Sequence, residues 1–75
     1  MKAYVMINVQ PGSENDALQR LEKLEAVEEA YISYGVYDLI IKVKAETIED
    51  LKGAVLSKIR TADEVKSTLT LIIQE

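Results

Sequence analysis

The chain has 75 residues, a net charge of −4, 48% apolar residues, and neither Cys nor His. That length allows one small domain, expected to occupy residues 1–75. The composition excludes disulfide staples and thiolate metal sites, and it removes the commonest metal ligand and general base. The acidic balance disfavours direct nucleic-acid binding, which rests on cations neutralising phosphates. No apolar run approaches the ~18 residues needed to span a bilayer, so no membrane partner is expected. The start, Met1-Lys2-Ala3-Tyr4, enters an alternating pattern at once and is not a signal peptide, which leads to the expectation of a cytoplasmic protein. Below roughly 70–80 residues one core rarely supplies more than about 3–5 kcal/mol, so the apolar surplus points to self-association as the remaining staple.

In chain order, Lys2 to Val9 alternates, with Ala3, Val5, Ile7 and Val9 on one face and Tyr4, Met6 and Asn8 on the other. Gln10-Pro11-Gly12 ends that strand, because Pro11 has no N–H to donate and Pro-Gly favours a turn. Ser13 is expected to cap a helix, with Asp16 three residues on. Ala17, Leu18, Leu21 and Leu24 form its apolar stripe, and it should end near Ala26. Val27 to Ser33 is a second strand. Tyr34-Gly35-Val36-Tyr37-Asp38 is a tight corner in which Gly35 supplies backbone freedom and Asp38 a carboxylate. Leu39 to Ala45 is the third strand. Thr47 and Asp50 repeat the cap pattern, and Ile48, Leu51, Val55 and Ile59 make a second amphipathic stripe interrupted by an exposed Gly53. Residues 60–64 form a loop, and Val65 to Ile73 alternates as the last strand.

The order βαββαβ with two amphipathic helices predicts an α+β, ferredoxin-like fold, with a four-stranded antiparallel sheet carrying both helices on one face. Ala3, Val5, Ile7, Ile32, Leu39, Ile41, Val43, Leu69, Leu71 and Ile73 are expected to look toward the helices. Tyr4, Met6, Asn8, Tyr31, Ile40, Lys42, Thr68, Thr70 and Ile72 are expected on the other side. With no third layer, Tyr4, Met6, Tyr31, Ile40 and Ile72 would expose an apolar patch of several hundred Å², near the upper limit for monomers. These five residues are therefore the expected interface of a sheet-to-sheet, two-fold homodimer, a dimeric α+β barrel.

The corner Gly35-Val36-Tyr37-Asp38, the apolar strand Leu39-Ile40-Ile41-Lys42-Val43 and the final strand Val65-Lys66-Ser67-Thr68-Leu69-Thr70, in this element order, resemble the effector-binding domain of the Lrp/AsnC family of regulators. The resemblance covers nearly the whole chain. It implies an amino-acid-sensing and oligomerisation module with no cofactor and no catalytic role, assembling as dimers and rings of dimers, with full-length regulators of the family as further partners. Because the first strand begins at Lys2, no helix-turn-helix domain is expected. Carried over, Gly35, Val36 and Tyr37 would offer N–H groups to a ligand carboxylate, Asp38 would accept from its ammonium, and Thr68 and Thr70 would add hydroxyls. Asp38 is equally suited to a local turn cap. Thr68 and Thr70 also fit ordinary strand propensity. Tyr4, Tyr31 and Tyr34 fit interface packing better than ligand contact. The rival class is a small dimeric α+β barrel enzyme, for which Tyr37, Asp38 and Lys42 would have to cluster.

Overall fold

The computed structural model describes residues 1–74. Its elements are β1 (Lys2–Val9), α1 (Glu14–Glu22), β2 (Val27–Ile32), β3 (Leu39–Lys44), a second helix α2, and β4 (Val65–Ile73). Helix α2 runs through Ile48–Asp50, a wider π-helical turn at Leu51–Val55, and Leu56–Arg60. The four strands form one antiparallel sheet in the order β2-β3-β1-β4, the ferredoxin-like arrangement.

The strand periods place the core. Ala3, Val5, Ile7 and Val9 of β1 and Leu39, Ile41 and Val43 of β3 are all buried. They meet Ala17 and Leu21 of α1 and Leu51, Leu56 and Ile59 of α2. No polar or charged residue joins this core among the described residues. The helices cover one side of the sheet, α1 lying toward β2 and the end of α2 toward β4.

Three sequence expectations need correction. Ser13 makes no side-chain cap hydrogen bond: its backbone has turn geometry (φ −100°, ψ 8°) rather than the extended one a cap requires. Thr47, which is extended (φ −129°, ψ 161°), does accept from the Asp50 N–H at 3.0 Å. The stripe of α2 also shifts. Leu56 N–H donates to the Leu51 carbonyl, five residues back, so the π turn inserts one residue. Leu56 rather than Val55 becomes the next core residue after Leu51, and Val55 is left half-buried.

The third correction concerns β4. Its register against β1 shifts at Asn8 and Val9: Val9 pairs with Val65 and Asn8 with Ser67, leaving Lys66 as the extra residue. Beyond that bulge Ile7, Val5 and Ala3 face Thr68, Thr70 and Ile72, while Met6 and Tyr4 face Leu69 and Leu71. Residues directly opposite in an antiparallel pair share a face. Thr68, Thr70 and Ile72 therefore belong to the helix side, and Leu69 and Leu71 to the bare side, the reverse of the expected assignment. Strict alternation from Val65 missed this because one bulge inverts every later side chain.

On the helix side the Thr70 hydroxyl oxygen is buried without a hydrogen-bond partner, which costs roughly 1–3 kcal/mol for a group of this kind. Thr70→Val keeps the shape and removes the orphan. It should raise the stability of the fold by about 1 kcal/mol in urea denaturation. No gain would contradict the β4 register.

Candidate functional site: the 34–38 corner and the bare sheet face

The corner is tied down at both ends and open at its tip. Ser33 N–H donates to the Asp38 carbonyl at 2.8 Å, and Asp38 N–H donates to the Ile7 carbonyl at 2.9 Å. The Asp38 carboxylate reaches across β1, where its Oδ2 accepts from Val9 N–H at 2.9 Å. One residue thus joins the ends of β1, β2 and β3. This is a cap across strands rather than a cap within its own turn. Its other oxygen, Oδ1, accepts no hydrogen bond among the described residues.

Gly35 has φ +134°, a conformation that side chains with a Cβ rarely adopt, and that lets the chain reverse within so few residues. Tyr34 and Val36 are almost fully exposed, at 97% and 82%, while Tyr37 and Asp38 are half-buried. The N–H groups of Tyr34, Gly35, Val36 and Tyr37 have no acceptor within the described chain. The tip therefore presents unpaired donors beside one unpaired carboxylate oxygen. It projects outward, so a single protomer does not enclose a ligand there.

The two threonines do not join it equally. In the row Ile32–Leu39–Ile7–Thr68, Thr68 is level with the root of the corner but two strands away, about 10 Å. Thr70 lies two residues further down β4, and its hydroxyl oxygen is sealed from solvent. The Thr70 hydroxyl is consequently unavailable to a ligand at the corner.

The bare face carries two adjacent cross-strand rows. Tyr31, Ile40, Met6 and Leu69 form one, and Glu29, Lys42, Tyr4 and Leu71 the other. Tyr4, Tyr31, Leu69 and Leu71 are exposed, and Met6 and Ile40 half-buried. Ile72, expected here, is turned to the other side by the bulge. Tyr31 O–H donates to Glu29 Oε1 at 2.6 Å, and Lys42 Nζ lies 3.8 Å from Glu29 Oε2 and 5.9 Å from the centre of the Tyr4 ring. The Tyr31 phenol is held above its ordinary pKa, first by that hydrogen bond to Glu29 and then by repulsion from the same carboxylate. Half the face is thus polar and half apolar. Lys42 is engaged with Glu29 and Tyr4, some 13 Å along β3 from Asp38, so Tyr37, Asp38 and Lys42 do not form the cluster an enzyme would need. Among the described residues no group of three or more acidic, His or Cys side chains is placed to hold a metal, and no helix is long and apolar enough to cross a membrane.

A ferredoxin-like protomer with one bare sheet face and a glycine corner at the sheet end defines the structural class. Residues 2–75 match the family model of the Lrp/AsnC ligand binding domain, and the chain belongs to that family. Regulatory protein AsnC of Escherichia coli K12 is 46% identical over 57 residues, covering 76% of this chain and 38% of that protein. The chain spans less than half the length of the curated regulators it matches. The crystal structure of FFRP-DM1 is similar along nearly its whole length: 36% identity, TM-score 0.93, and 97% of both chains covered. A feast or famine regulatory protein from Mycobacterium tuberculosis, solved in complex with L-methionine, is 32% identical with a TM-score of 0.83, covering 99% of this chain and 50% of that one.

Asp38→Ala would leave the N–H of buried Val9 without its acceptor and should cost about 1–3 kcal/mol in chemical denaturation. Asp38→Asn keeps an acceptor oxygen and should cost less than about 1 kcal/mol. Equal losses for the two variants would contradict the strand-joining role.

Proposed function

We propose that this domain senses a free amino acid at the 34–38 corner, in a seam closed by a second copy of the chain, and that it assembles through its bare sheet face. The observation that carries the reading is the pairing of unpaired N–H groups at Gly35, Val36 and Tyr37 with the unpaired Oδ1 of Asp38. Those groups suit the carboxylate and ammonium of one zwitterion. Membership of a ligand-binding family and the L-methionine complex of a relative support the same chemistry. Thr68 is retained as a hydroxyl donor from the rim, and Thr70 is not.

The exposed Tyr4, Tyr31, Leu69 and Leu71 of this face support self-association. Covering about 400 Å² of apolar area per protomer would contribute on the order of 10 kcal/mol before the entropy of association is subtracted. Dimers built this way leave their corners at the periphery, where dimers meeting one another would enclose them as a ring. Longer regulators carrying the same domain are the natural hetero-partners, joined through the same face so that their assembly responds to this chain. The reading is that of a regulatory module in the cytoplasm, not a catalyst.

Calorimetric titration with the common amino acids tests the sensing role. At least one should bind, and Asp38→Asn should weaken it by roughly 10- to 100-fold, the usual range for losing a hydrogen bond to a charged group. No binding by any of them would contradict it. Leu71→Lys should shift the wild-type assembly toward monomer in sedimentation without lowering protomer stability, because Leu71 lies outside the helix-side core. An unchanged mass would place the interface elsewhere.

A further inference from the structure

The protomer has a cavity away from the corner. A groove of about 600 Å³ opens at the opposite end of the sheet, between the segment after α1, the end of β3 and the middle of α2. It is level with the Lys2–Lys44 pair, whereas the corner is level with Ile7 and Leu39. Five residues of β1 separate the two, about 17 Å.

The π turn of α2 is what opens this groove. A regular helix would send Val55 toward the core, one α-helical turn after Leu51. The inserted residue puts Leu56 there, and Ala54 and Val55 line the groove instead. Leu24 closes the far wall. The walls are apolar, but the rim carries both signs of charge: Lys44 and Lys58, with Glu25 and Glu46. Among the described residues these four make no ion pair, in contrast to Lys2, which lies 3.8 Å from Glu28. Unpaired charges of both signs around an apolar cleft complement a small molecule that carries one charge of each sign on an apolar body. The volume lies within the range of small-ligand pockets, roughly 300–1,000 Å³.

We infer that this groove is a second small-molecule site, taking an amphipathic zwitterion such as a free α-amino acid with an aliphatic side chain. The aliphatic chain packs on Leu24, Ala54 and Val55. The carboxylate meets Lys58 or Lys44, and the ammonium meets Glu25 or Glu46. The site lies within one protomer and does not depend on the corner or on any second copy.

The test is backbone amide NMR of the full chain, titrated separately with L-leucine, L-methionine, 4-methylpentanoate and 3-methylbutylamine. At least one of the two amino acids should give saturating shifts at Ala26, Ala45, Ala54 and Val55, and the two singly charged compounds should bind at least tenfold more weakly. Lys58→Glu, an exposed change, and Ala54→Phe, which fills the cleft, should each weaken the amino acid at these amides by tenfold or more. Asp38→Asn should leave them unchanged while altering any response at residues 34–38. The corner and groove amides thus report the two sites separately. The inference is overturned if these four amides do not shift with either amino acid, if the singly charged compounds bind as well, if Lys58→Glu changes nothing, or if Asp38→Asn abolishes the groove shifts.

Discussion

The pairing of β4 with β1 decides what each face of the sheet presents. Strand β1 is central and its inward side chains are fully buried, so its faces are fixed by the core. Strand β4 lies at the sheet edge and takes its orientation from β1 through the register set at the Asn8–Val9 bulge. That one extra residue decides which of two alternating sets meets the helices. The structure turns the threonines inward and Leu69 and Leu71 outward. This choice costs hydrogen bonding at Thr70 and leaves apolar surface bare. Neither outcome favours an isolated protomer. The proposed assembly would give the outward leucines something to cover them.

A second irregularity acts in the same sense on the other layer. The π turn at Leu51–Val55 moves Leu56 into the core and frees Val55. A bulge in the sheet and an inserted residue in a helix each redirect side chains without changing the order of elements. One shapes the face available to other copies, and the other opens a groove within the protomer. Such insertions in helices recur at functional positions. Both act on a domain whose core, among the described residues, holds no buried polar residue.

Much of the fold was legible in the residues. Alternation over Lys2 to Val9 and Leu39 to Val43, together with the two amphipathic stripes, was sufficient for the βαββαβ order and for the face assignments of β1 and β3. The corner was legible from Gly35, because few residue types accept a positive φ; the reach of the Asp38 carboxylate to Val9 was not, because Asp at a turn suggests a local cap. Also missed was every feature that depends on one residue of register. The β4 sequence alternates apolar and polar equally well in either register, so its pattern alone does not choose the inward face. The leucines outranked the threonines by hydrophobicity, and tertiary pairing overrode that ranking. Val55 was misplaced for the same reason, since a stripe at helical spacing assumes no insertion. The groove left no sequence signature, because its lining comes from four separate segments.

In the proposed assembly the bare face bearing Tyr4, Leu69 and Leu71 is covered by another copy of the chain. Isotope-filtered NMR on an equimolar mixture of labelled and unlabelled protein reads contacts between copies. Sheet-to-sheet pairing should give contacts between the methyl groups of Leu69 and Leu71 in one copy and aromatic protons of Tyr4 or Tyr31 in another. Leucine methyls that contact only their own chain, in a protein with the 8.4 kDa mass of a single copy, would contradict it.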